Sequence, residues 1–208
     1  MKHYYLIVDT ETTYTKDQED TVADFGAVVV DRNGKIYDQL GALVAEESHK
    51  DFHFALGNKK MIQKKYQDLV AAGKRTTQSV AQINDWLKMV AEKYNPVLTA
   101  YNIGFDMGKC RNTGINLDQF KKRFCLLKLA KSVIVETPEY QAWAIAEDML
   151  TPTLGKPSAK ADAVAKYLDP TLPDEPHTAL EDARDYEAMI LAYILRDTTR
   201  KQILELGQ

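Results

Sequence analysis

Cysteine is scarce in this chain. The 208 residues hold two, Cys110 and Cys125, and they form no Cys-x-x-Cys pair, so the sequence carries no thiolate zinc or redox signature. The pair reads as free thiols in a reducing compartment, which gives a cytoplasmic location as the expectation. Long apolar runs are missing too, and no stretch approaches the length of a membrane span. The opening "MKHYYLIVD" turns acidic too early for a signal peptide, so neither export nor a membrane partner is implied. Rossmann and P-loop glycine patterns, internal repeats and low-complexity tracts are absent. Nor is there an excess of basic charge. A formal net charge of −3 excludes the basic footprint of a tight nucleic-acid packager more firmly than it excludes transient contacts. The clusters Lys59-Lys60, Lys64-Lys65 and "KKR" at 121–123 read first as solvated surface.

What is present describes one soluble domain over residues 1–208, with 45% hydrophobic and 27% charged residues. "YYLIVDTETT" begins as a strand with both faces apolar, as in the middle of a sheet. "FGAVVVDRNGKIYDQLGALV" reads as a hairpin turning at Asn33-Gly34. "NKKMIQKKYQDLVAAG" is a helix closed at Gly73, and Val80, Ile83, Leu87 and Val90 mark a second, stopped by Asn95-Pro96. "VLTAYN" is a further strand and "GFDMGKCRNTG" a short helix, while "RFCLLKLAKSVIV" fits either strand or helix. Thr137-Pro138 opens a helix running to Leu150, and Ser158 caps another ending near Leu168. This order suits an α/β domain with a mixed sheet flanked by helices.

Three acid clusters stand out. If the first strand stays extended to Glu11, Asp9 and Glu11 point to one side, roughly 7 Å apart, a spacing suited to sharing divalent cations. Asp106 falls just after a strand at the opening of a helix, where sites gather along a sheet edge. In "PHTALEDARDYEAMILAYIL", Thr178 and Glu181 form a capping-box pattern that leaves His177 outside the helix. Asp182 then joins a stripe of Ala179, Tyr186, Met189 and Tyr193, an acid in an otherwise apolar face that needs a cation or a metal. Carboxylates of this kind suit Mg²⁺ or Mn²⁺, and a pair of such ions can align the attacking and leaving oxygens of a phosphodiester.

"DTET" at 9–12, "NIGFD" at 102–106 and "HTALED" at 177–182 resemble, in order, the three motifs of the DEDDh family of 3′–5′ exonucleases, also called DnaQ-like. His177 precedes Asp182 by five residues, and position 178 is threonine where the tyrosine branch would need tyrosine. The resemblance spans nearly the whole chain. It implies a ribonuclease-H-like fold, two Mg²⁺ or Mn²⁺ ions, and stepwise release of nucleoside 5′-monophosphates. Asp9, Glu11 and Asp182 would hold the first ion, Asp9 would bridge to the second, and Asp106 would assist through water. His177 would take a proton from the attacking water. Thr10, Thr12, Tyr14, Asn102 and Phe105 would lie with the substrate. Residues 132–157 look like an insertion in a compact member, and no family pattern is placed on 41–60.

The leading expectation is a metal-dependent 3′–5′ exonuclease on single-stranded ends, with DNA modestly preferred. An exoribonuclease trimming RNA ends or degrading short oligoribonucleotides is the alternative, and the 2′-hydroxyl is what would separate them. A catalytically silent binding module is the weakest reading, because all four carboxylates and the histidine are in place. The resemblance to proofreading enzymes also implies a polymerase or another replication or repair protein as partner.

Overall fold

In β1 (Tyr4–Thr12), Tyr5 and Ile7 enter one apolar layer and Leu6 and Val8 the other, so the strand is covered on both sides. The computed structural model describes residues 3–13, 20–47 and 59–198, together with 202, 203 and 205; of 59–63 and 197 it describes the backbone alone. Around β1 lies a six-stranded mixed sheet. β2 (Val22–Asp31) and β3 (Ile36–Val44) form the expected hairpin, with Gly34 at φ 78° in its turn. β4 (Thr76–Gln78) lies parallel to the outer side of β3. On the other side, β5 (Val97–Ala100) runs parallel to β1, and β6 (Arg123–Cys125) parallel to β5. The order is β4-β3-β2-β1-β5-β6.

The helices are α1 (Lys59–Ala71), α2 (Val80–Tyr94), α3 (Ile103–Thr113), α4 (Leu126–Ala130), α5 (Pro138–Ala146) and α6 (Ala161–Leu168). A last helical run begins with one turn, α7 (Ala179–Glu181), widens into a π-helical segment (Asp182–Glu187), and continues as α8 (Ala188–Asp197). Ile83, Leu87 and Val90 of α2 bury into the layer with Leu6 and Val8, along with Cys110 of α3. The layer with Tyr5 and Ile7 takes α4, α5, α6 and α8.

Several boundaries differ from the sequence reading. β4 is three polar residues long, too short to show alternation. The ambiguous stretch at 123–135 divides into β6, α4 and a π-helical turn (Lys131–Val135). α5 stops at Ala146 instead of Leu150, since Asp148 turns to φ 53° and the Met149 amide bonds back to the Ala144 carbonyl. Ser158 does not cap α6. The cap is Lys160, and the Ser158 hydroxyl accepts that residue's amide at 3.3 Å. The capping box at Thr178 does not form either, because the Thr178 amide bonds to Asp182, while Glu181 bonds to Arg75. The stripe drawn through Met189 and Tyr193 also fails, Tyr193 being 38% exposed. The π-helical turn displaces the helix phase, so that Ala188, Ile190, Leu191, Ile194 and Leu195 are buried in α8.

Register places three residues in one row across the sheet: Asp9 opposite Gly26, and Gly26 opposite Gly41. The two glycines leave a trough in which α7 lies. A Cβ on Gly26 would stand 2.1 Å from the carbonyl carbon of Ala179 and 2.2 Å from the amide nitrogen of Leu180. One on Gly41 would stand 2.5 Å from Arg75 Nη1. The Gly26→Ala variant must therefore move backbone. We expect it to lose at least about 1–3 kcal/mol of stability in denaturant melts, the usual cost of overpacking. A loss below about 0.5 kcal/mol would mean that the helix does not rest on the strand this closely.

Candidate active site

Extension of β1 through Thr12 puts Asp9 and Glu11 on the face occupied by α7, with Thr10 on the opposite face beside α3. Asp106, in the first turn of α3, is buried and accepts the Thr10 hydroxyl at 2.8 Å. From the other side Asp182, also buried, accepts the backbone amide of Thr178 at 2.9 Å through Oδ2. That bond takes the place of the expected capping box. Asp9, Glu11, Asp106, Asp182 and His177 all line one cleft of about 580 Å³, together with Thr10, Asn102 and Phe105. Glu11, His177 and Asp182 each offer a ligand atom, all within 4.8 Å of one another.

The supporting structure is built behind this cluster. Asp24, opposite Glu11 in the register, is fully buried and bonds to Arg75 through both oxygens, at 2.9 and 3.2 Å. It also accepts the Tyr66 hydroxyl and the Ala179 amide, each at 3.1 Å. Arg75 then reaches Glu181 at 2.6 Å, tying both ends of α7 to the sheet. His177 precedes this turn at φ 53°, a left-handed conformation that histidine adopts more readily than most side chains. Its Nδ1 lies 3.8 Å from Glu175 Oε2, and Lys65 donates to the neighbouring Pro176 carbonyl.

The positions expected at the substrate divide. Phe105 is 45% exposed at the cleft, with Lys109 Nζ 5.1 Å from its ring centre. Asn102 lines the cleft at the start of α3, while Thr12 is buried and does not line it. Tyr14 lies outside the described residues, as do positions 48–58 of the 41–60 segment. Sequence reasoning missed Glu187 and Glu175 among the acids, and Lys131 and Lys160 on the rim. Glu187 follows Asp182 by five residues, a separation that an α-helix would turn away and a π-helix brings round. Glu175 sits in a proline-rich loop whose path no periodicity predicts.

Without a cation the cluster is electrostatically unfavourable. Burial pushes the Asp9 carboxyl well above the ordinary range, and Glu187, Asp106, Glu11 and Asp182 raise it further. Burial does the same to Glu11, with Asp182 adding and Lys65 opposing. Asp106 is raised to about 7 by burial against the Thr10 hydrogen bond, and Asp182 to about 8 by burial and Glu175. Asp182 Oδ1 and Glu187 Oε2 are buried without a hydrogen-bond partner among the described residues. Crowded carboxylates, two orphaned oxygens and a nearby imidazole fit a hard divalent cation held by oxygen ligands.

Comparison with known proteins gives the family. The sequence matches the RNase_T family, described as exonuclease, over residues 6–188. The chain belongs to this family. An enzyme of the exonuclease class, a nuclease and hydrolase, agrees with the motif reading, and divalent metal ions are typical of such enzymes. Solved structures share the ribonuclease-H-like fold at low identity. A full-length 3′-exonuclease matches with a TM-score of 0.59 and 16% identity, over 97% of this chain and 89% of that one. A moderately thermophilic Exonuclease I from Methylocaldum szegediense matches with a TM-score of 0.54 and 17% identity, over 98% of this chain and 42% of its own. An Exonuclease I bound to an SSB C-terminal segment gives 0.57 and 14%, over 99% and 43%. This exonuclease thus spans less than half of either Exonuclease I chain. No curated protein matches it significantly. Among the described residues, no helix is long and apolar enough to cross a membrane.

The raised carboxylates set a pH dependence for the metal-free exonuclease. A folded-state pKa above the unfolded value means that the folded protein binds more protons between the two, so stability falls as pH rises through that window. With Asp106 near 7 and Asp182 near 8, the melting temperature in EDTA should drop from about pH 5 to about pH 8. Saturating Mg²⁺ should flatten that slope. A melting temperature that instead climbs over this range in EDTA would contradict the carboxylate environment.

Proposed function

We propose that this exonuclease is a metal-dependent 3′–5′ enzyme acting on single-stranded nucleic-acid ends, releasing nucleoside 5′-monophosphates and modestly preferring DNA. The observation that carries the reading is the convergence of Asp9, Glu11, Asp106 and Asp182, from three separate motifs, in one cleft with His177 beside them. Asp9, Glu11 and Asp182 would hold one ion, and Asp9 and Asp106 would serve a second. Bound there, Mg²⁺ or Mn²⁺ neutralises charge on the attacking and leaving oxygens of the phosphodiester.

The chain's own groups do the rest. His177 takes a proton from the attacking water at Nε2, because Nδ1 is turned toward Glu175. Phe105 offers an exposed aromatic face on which the terminal base stacks, and Asn102 stands beside it. Thr10 holds Asp106 in place. Lys131 and Lys160, which line the cleft with the acids, meet the phosphates. Residues 132–157, read as an insertion, bound this rim through Thr151, which lines the cleft. The net charge of −3 suits brief contact with an end more than stable binding. Both cysteines are buried and free, in keeping with work in the cytoplasm beside replication or repair proteins.

End-labelled DNA and RNA oligomers, digested side by side with Mg²⁺ or Mn²⁺, test this directly. We expect mononucleotide ladders from free 3′ ends, protection by a blocked 3′ end, and no activity in EDTA or in the Asp9→Ala variant. Cleavage of circular single strands as fast as linear ones would show an endonuclease instead, and faster RNA loss would reverse the sugar preference.

The histidine gives a separate measurement. Burial and Lys65 hold His177 below its ordinary value, so the neutral base persists to lower pH than for a free imidazole. In kcat/KM against pH, the acidic limb should have its midpoint below about 6.5. His177→Ala should lose on the order of 10²–10⁴-fold in rate while still binding Mn²⁺. A variant matching the wild type across that range would remove His177 from the mechanism.

A further inference from the structure

Glu187 is 2% exposed, yet it lines the same cleft as the motif acids. Its position follows from the π-helical segment. Across that wider turn the Ala188 amide bonds to the Ala183 carbonyl, five residues back. Such winding brings a residue at i+5 close to the face of residue i, and Glu187 is five beyond Asp182. Among the charges acting on Glu187, those of Asp106 and Asp182 are the largest, and Glu187 is itself the strongest charged neighbour of Asp9. The Tyr101 backbone hydrogen bond engages its carboxylate, while Oε2 is buried with no partner among the described residues. A carboxylate in such a place costs several kcal/mol if ionised and uncompensated. An amide would satisfy the Tyr101 bond without that penalty, so backbone support alone does not explain an acid here.

Building on the exonuclease reading, we propose that Glu187 is an additional protein ligand of the cation pair, acting with Asp9 and Asp106 on the second ion. The second ion would then have three carboxylates grouped about it, while Asp9, Glu11 and Asp182 would hold the first. Greater negative charge around the second position raises its affinity for a divalent cation.

The test is Mn²⁺ binding by the full chain, measured by titration calorimetry and electron paramagnetic resonance, for the wild type, Glu187→Gln, Glu187→Asp and Asp182→Asn. The wild type should bind two ions. Glu187→Gln, which keeps an acceptor for Tyr101, should retain one and weaken the other at least about tenfold. Glu187→Asp, with the charge kept but the reach shortened, should fall between, and it serves if the amide variant does not fold. Asp182→Asn should weaken the other ion. In EDTA, Glu187→Gln should melt above the wild type, and Mn²⁺ should raise its melting temperature less. Two wild-type ions with affinities unchanged in both Glu187 variants would overturn the ligand role and leave the exonuclease reading standing. A wild type that binds no Mn²⁺ would overturn both.

Discussion

The site depends on how closely a helix backbone can approach a sheet. Gly26 and Gly41, in one row with Asp9, let the turn Ala179–Glu181 settle against β2 and β3 at a distance no side chain would permit. Asp182 and His177 flank that turn, so their separation from Asp9 and Glu11 is fixed by two missing Cβ atoms as much as by the acids themselves. Arg75 fills the remaining space and, with Asp24, holds the turn by charge-assisted hydrogen bonds at both ends.

This anchoring opposes a strong repulsion. The cleft gathers carboxylates from β1, α3 and the last helix into a region where burial already disfavours ionisation. Folding brings them together because the apolar layers on both sheet faces supply a driving force unrelated to the site. Asp24 shows the contrasting solution. It is as deeply buried as any of them, but Arg75, Tyr66 and the Ala179 amide satisfy it within the protein. The difference separates an acid that braces the structure from acids poised to accept something else.

Much of this was legible in the residues. The alternation of β1 and its two terminal acids, the hairpin at Asn33-Gly34 and the periodicity of α2 give local structure directly, and three spaced motifs bring the same acids to one cleft. Other features are tertiary in origin. β4 has no pattern of its own and is a strand only because the edge of β3 is there to pair with it. Glu181 has the right spacing for a capping box, yet Asp182 takes the Thr178 amide and Glu181 bonds a buried guanidinium. Nothing in the sequence around Gly73-Lys74 signals that Arg75 is 2% exposed. Glu187 was hidden because the counting assumed α-helical winding throughout.

The final helix therefore carries two amphipathic phases joined by one wide turn. At its start Asp182 faces the cleft; after it, Ile190, Leu191, Ile194 and Leu195 face the core. Each residue of an α-helix adds about 100° of rotation, so loss of a single residue within the wide turn would rotate one phase against the other by about that much. Either the cleft would lose its acids or the core its aliphatic side chains. Over these positions the chain tolerates a change of letter far better than a change of length, a constraint on its evolution set by winding instead of chemistry.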